Sequence, residues 1–110
     1  GSAYTANTID HILRREPGVD FVWLMGGDNL AGFHKWQRWR DIAASVPFAV
    51  LDRPGTRHAA LASPAAKALA PGRIPSGASH TLLQQSLPAW TYLDIALSDE
   101  SSTALRGNTR

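Results

Sequence analysis

From Val19 to Met25 the chain reads Val-Asp-Phe-Val-Trp-Leu-Met and then stops at Gly26-Gly27. A strand with one wet face alternates apolar and polar residues. A run apolar at nearly every position belongs in a sheet covered on both sides, the usual state of parallel strands in α/β folds. The neighbouring segments agree. Thr5 to Arg15 reads as a helix, with Ile9, Ile12 and Leu13 at helical spacing, Thr5 or Asn7 at its cap, and Pro17-Gly18 beyond its end. Phe33 to Ala44 follows the helical period through Phe33, Trp36, Trp39 or Arg40, and Ala43.

After Pro47 a second strand is expected over Phe48 to Asp52, then a turn at Arg53-Pro54-Gly55. The alanine-rich stretch from Ala59 to Leu69 predicts a third helix, with Pro64 near its first turn. Ala70 to Pro88 is rich in Pro, Gly and Ser and says little, although Thr81 to Leu87 suits a short helix or strand. A third strand is predicted over Trp90 to Leu97, and Ser98 to Arg106 reads as the start of a helix capped by Ser101 or Ser102. Alternation of this kind predicts an α/β fold: a Rossmann-like parallel sheet flanked by helices. Three strands make a thin sheet, so the expectation is an incomplete one.

The chain has 110 residues, 44% of them hydrophobic, which suits one small domain with a core. No apolar run approaches the ~20 residues of a membrane-spanning helix, and no basic segment leads into an apolar one at the start. There is no cysteine, which removes disulfides, thiolate catalysis and zinc sites built on sulfur. This is compatible with a reducing, cytoplasmic setting. With 11 basic against 9 acidic residues the net charge is +2, too weak to argue for nucleic acid. Sequence does not fix the oligomeric state.

Three motifs, "GGDN" from Gly26, "RPG" from Arg53 and "ESST" from Glu100, fall just past expected strand ends, where ligands of open α/β sheets bind. Gly26-Gly27-Asp28-Asn29 allows close approach of a ligand to the backbone, and Asp28 can accept from ribose hydroxyls; the same residues also suit a plain turn capping the next helix. Trp36 can stack on a flat heterocycle, whereas Trp39 and Trp23 suit the core. Ser101, Ser102 and Thr103, followed by Arg106, offer hydroxyls, helix-start amides and a guanidinium for a phosphate, or simply a cap beside a solvated arginine. Arg53 can reach the same anion. His11, His34, His58 and His80 lack the spacing of a metal site.

Taken in order, "YTANTI", "FVWLMGGDNLAGFHKWQRWRDI", "VLDRPG" and "SSTALR" resemble the C-terminal portion of bacterial nicotinate-nucleotide adenylyltransferase. That resemblance implies that residues 1–110 form the C-terminal part of a single nucleotidyltransferase domain. It implies adenylyl transfer from ATP, with Mg²⁺, to nicotinate mononucleotide. Tyr4, Thr5 and Thr8 then fall where the nicotinate moiety is held, and Trp36 where an indole stacks on the pyridine ring. Gly26 and Asp28 fall at the adenosine, Ser101, Ser102, Thr103 and Arg106 at the triphosphate, with Arg106 touching the reacting phosphates, and Arg53 beside them. The family's phosphate loop with its paired histidines has no counterpart here, and Glu100 stands where the family usually has an apolar residue. The expectation is therefore a fragment inactive by itself. The competing reading is a non-catalytic α/β module that binds an adenine nucleotide or assembles with a partner chain.

Overall fold

A computed structural model describes residues 4–94 and 105–109. Helix α1 (Tyr4–Arg15) buries Ala6 and Ile9 and ends in two arginines, which suit the negative end of its dipole. It turns at Pro17-Gly18 into strand β1 (Val19–Gly26). Strands β2 (Phe48–Leu51), β3 (Arg73–Ile74) and β4 (Trp90–Leu93) run parallel to β1, and β5 (Leu105–Thr109) runs antiparallel beside it. The order across the sheet is β3-β4-β2-β1-β5. Register pairs Gly26 with Leu51 and Leu51 with Leu93, so three strands end level.

The helices pack on one face of this sheet. α2 (Gly27–Gly32), α3 (Trp39–Ser45), α4 (Arg57–Leu61) and α5 (Pro64–Ala68) join α1 there, over Phe21, Trp23, Met25, Phe48, Val50, Trp90 and Tyr92. Burying each large aliphatic side chain of this layer contributes roughly 1.5–3 kcal/mol. A ladder of rings runs through it. Trp36 and Trp39 meet Phe33 edge-on at 5.3 and 5.7 Å, Phe33 lies 5.7 Å from Phe48, and Phe48 stacks on Trp90 at 5.5 Å with planes 11° apart. The Trp90 indole donates to Leu69 O at 2.8 Å, so its one polar atom is satisfied in the interior. The opposite face, carrying Val22, Leu24, Ala49, Ala89 and Leu93, meets the 3₁₀ segment Ser76–Gln84 through Leu82.

The parallel α/β sheet holds, and several expectations are corrected. The sheet has five strands, not three, so it is not the thin, incomplete sheet expected. β3 escapes periodicity because two residues carry no pattern, and β5 because its first two residues, Leu105 and Arg106, also suit the end of a helical segment. Among the described residues, helices cover one face rather than both. The helix expected over Phe33 to Ala44 begins earlier, at Gly27, passes through a 3₁₀ turn at Phe33–Lys35, and breaks before α3. Trp36 and Trp39 therefore do not share one helix. The helix expected from Ala59 to Leu69 splits at Ser63-Pro64 into α4 and α5.

Candidate nucleotide site at the carboxyl ends of the strands

β1 ends at Gly26, and α2 begins at the next residue. The two glycines serve close packing. A β-carbon at Gly26 would lie 2.5 Å from Arg53 Nε and 2.7 Å from Asp28 Oδ1; one at Gly27 would lie 2.5 Å from Thr56 Oγ1 and 3.1 Å from the Tyr92 hydroxyl. Arg53, just past β2, reaches over the Gly26 backbone to Asp28, with Nε 3.1 Å from Oδ1. The contact is ionic without an aligned hydrogen bond, because Arg53 Nε finds no acceptor of good geometry among the described residues. Both side chains remain more than a third exposed, so the pair contributes little to stability. A carboxylate and a guanidinium thus close over the buried Gly26 backbone at the ends of two adjacent parallel strands.

Beneath them lies a layer that sequence reasoning missed. Tyr92, on β4, is buried and donates its hydroxyl to Asp52 Oδ1 at 2.6 Å. Burial first, and that hydrogen bond second, push its pKa up to about 12. Thr56 donates to Arg53 O at 2.9 Å, which fixes the turn after β2. Arg57 lies over the Tyr92 ring, 5.1 Å from its centre, and pairs with Asp94. The hydrogen bond to Asp94 holds the Arg57 guanidinium above its ordinary pKa. The available signal was register: Asp52 and Asp94 each follow the last residue of a parallel strand, Leu51 and Leu93, which pair with each other.

A second group of candidates lies at the same end. α1 leads through a short turn into β1 and so runs back along it, which carries Tyr4, Thr5 and Thr8 toward the carboxyl end of the strand. Tyr4 is exposed, while Thr5 and Thr8 are half-buried. Trp36 is half-buried at the loop between the 3₁₀ turn and α3, one edge of its ring against Phe33. The loop's Arg38 donates to Asn7 of α1 at 2.7 Å, so the loop and the start of α1 are held together.

The phosphate group of candidates stands differently. Ser101, Ser102, Thr103 and Glu100 lie outside the described residues. Arg106 lies in β5 opposite Val22, not one turn into a helix. The expectation of a helix-start anion site around it is corrected on that point: pairing with β1 holds its backbone extended.

No group of three or more His, Cys, Asp or Glu able to hold a metal ion occurs among the described residues. Asp28, Asp52 and Asp94 each already have a partner, in Arg53, Tyr92 and Arg57. Nor is any helix among them long and apolar enough to cross a membrane.

A predominantly parallel α/β sheet, with a close-packed glycine turn and paired charges where three strands end level, is an open α/β fold of the class that binds ligands beyond the ends of its strands. The chain belongs to the cytidylyltransferase-like family, whose family model matches residues 4–108. It is 52% identical over 106 residues to a probable nicotinate-nucleotide adenylyltransferase of Roseobacter denitrificans, covering 96% of this chain and 53% of the relative. Likewise it is 51% identical to a probable nicotinate-nucleotide adenylyltransferase of a Bradyrhizobium strain, covering 96% of this chain and 55% of that protein. A protein of the same name from Agrobacterium fabrum is 44% identical over 98% of this chain and 58% of its own length. The chain spans about half the length of the curated relatives it matches. Because the matches run along nearly the whole chain, they replace its reading as a C-terminal portion lacking the phosphate loop.

Proposed function

We propose that this protein transfers the adenylyl group of ATP to nicotinate mononucleotide, giving nicotinate adenine dinucleotide and pyrophosphate. The observation that carries the reading is the Asp28–Arg53 contact across the Gly26 backbone at the ends of β1 and β2. The exposed Asp28 carboxylate suits the ribose of the adenosine, Gly26 lets Arg53 and Asp28 close over the strand end, and Arg53 supplies positive charge to the phosphates. The names of the relatives supply the particular substrates.

In this reading a phosphate oxygen of nicotinate mononucleotide attacks the α-phosphorus of ATP in line. The new P–O bond forms as the bond to the β-phosphate bridging oxygen breaks, and pyrophosphate leaves with that electron pair. No protein nucleophile takes part, so the work is positioning and charge stabilisation. Trp36 stacks on the pyridine ring, with Tyr4, Thr5 and Thr8 around the nicotinate. Ser101, Ser102, Thr103 and Arg106 are assigned to the triphosphate on the resemblance alone, Arg106 meeting the charge that grows on pyrophosphate. Mg²⁺ enters as part of the substrate, carried on ATP's phosphate oxygens, which suits a set of carboxylates already paired with protein groups.

The test is direct. Against the expectation of an inactive fragment, purified protein with ATP, Mg²⁺ and nicotinate mononucleotide should release pyrophosphate and form the dinucleotide, with nicotinamide mononucleotide as the comparison substrate. ATP binding without dinucleotide formation from either would overturn the reading in favour of a non-catalytic nucleotide-binding module.

A further inference from the structure

Arg38 adopts φ 59° and ψ 31°, the left-handed region that crowds any residue with a β-carbon. No glycine or asparagine stands there to make the conformation easy. Its side chain shows what holds it. Nη1 donates to Asn7 Oδ1 at 2.7 Å, Nη2 lies 3.1 Å from Asp10 Oδ2, and Nε lies 2.9 Å from Asp41 Oδ2. Three nitrogens of one planar fork thus meet acceptors on two helices, α1 and α3. An ammonium could not reproduce that geometry. Asp41 first, then Asp10, keep the guanidinium above its ordinary pKa.

Two carboxylates face one guanidinium, so the cluster is no anion site; it is a clamp. It is also exposed: the Arg38 side chain keeps 39% of its surface. Ion pairs this wet contribute little to global stability. What the clamp does fix is local. Asn7 lies between Thr5 and Thr8 on α1, and Arg38 follows Trp36 by two residues. The left-handed residue stands at the N-cap of α3 and its guanidinium reaches back across to α1, which ties the loop carrying Trp36 to the helix carrying the two threonines.

We infer that Arg38 is a positioning residue: its three-way fork sets the separation between the Trp36 ring and the start of α1, and so fixes the slot that takes the pyridine ring. This rests on the nicotinate role proposed above for those residues. It adds a determinant that touches no substrate and is already neutralised by Asp10 and Asp41.

Amide hydrogen exchange on the purified protein tests the clamp without any substrate. Arg38→Ala should speed exchange about tenfold over residues 5–9 and 36–39 and leave the amides of β1, β2 and β4 unchanged. Asp10→Asn should do part of this. In steady-state kinetics, Arg38→Ala should raise KM for nicotinate mononucleotide about tenfold, with KM for ATP and kcat within twofold of wild type. Arg38→Lys should recover less than half of the KM change. Unchanged exchange in Arg38→Ala overturns the clamp. Altered exchange with both KM values unchanged, or raised alike, overturns its positioning role. A wild-type protein that does not turn over nicotinate mononucleotide removes the proposed function and the pyridine slot together. The exchange result would then still decide the clamp.

Discussion

Gly27 shows how tightly the site is built at the scale of one residue. A β-carbon there would sit 2.5 Å from Thr56 Oγ1, and that oxygen belongs to a short β-branched side chain held by its bond to Arg53 O. It cannot swing away as the end of a long chain would. Gly27→Ala should therefore cost about 1–3 kcal/mol, the usual penalty for overpacking, read from urea denaturation. If Thr56 is the obstacle, the two sites must couple: Gly27→Ala should cost less in a Thr56→Ala background than in wild type. Strictly additive free energies around this double-mutant cycle would show that the clash lies elsewhere. The sequence reads the glycine pair as room for a ligand to approach the backbone, whereas in the structure protein side chains occupy that room. Their approach was not legible, because Thr56 and Tyr92 lie 29 and 65 residues further along the chain and reach Gly27 only through the parallel register.

At the scale of the element, the split between α4 and α5 turns on Ser63. Its hydroxyl accepts from Ala66 N at 3.2 Å as the N-cap of α5 and donates to Ala60 O at 2.7 Å, at the end of α4, while Pro64 occupies the first turn, where its missing N–H costs nothing. Ser63 is buried, so water cannot replace either bond. Ser63→Ala should destabilise by about 1–2 kcal/mol, seen as a lower urea midpoint with an unchanged slope. A loss below about 0.5 kcal/mol would mean that the two helices do not depend on this residue. The sequence placed Pro64 in a first turn correctly, but of one long helix. The serine before it was the missed sign of a new start. α1, β1, β2 and the start of β4 were legible because their apolar patterns are strong and bounded by Pro or Gly. The break between Lys35 and Trp39 was not: no Gly or Pro marks it, and the helical period continues across it. Tertiary contacts from Arg38 to Asn7 and Asp10 override the local pattern there.

For the molecule as a whole, Tyr92 links the site to stability. Its hydroxyl joins β4 to Asp52 beyond β2, and its pKa rises from 10.0 to about 12. The neutral phenol is the form the fold prefers. Its contribution is therefore fully present below pH ~10 and is lost as pH climbs through about 12. A shift of this size corresponds to about 2–3 kcal/mol. Wild type should thus exceed Tyr92→Phe in stability at neutral pH, and the gap should close between pH 10 and 12. Parallel stability curves for the two proteins across that window would show that the hydroxyl does not set this dependence. The sheet's direction and the gathering of "GGDN" with "RPG" at one end were legible from alternation alone, since crossovers of one hand put all parallel strand ends on one side. The fifth strand was not, because an antiparallel partner arriving from residues 105–109 leaves no mark on the periodicity of β1.

The ring ladder from Trp36 and Trp39 through Phe33 and Phe48 to Trp90 has an optical consequence. Aromatic side chains held at fixed angles in an asymmetric, dry interior give the near-ultraviolet circular dichroism that survives only while packing is specific. Because Phe48 and Trp90 stack with nearly parallel planes in the core and Trp36 sits at the ladder's outer end, one spectrum samples both ends of it. Loosening of the core would erase the whole band while the far-ultraviolet helix signal persists. A ring entering beside Trp36 would perturb only the outer part of the signal, so the protein carries its own spectroscopic report on whether a ligand has been bound or a fold has been lost.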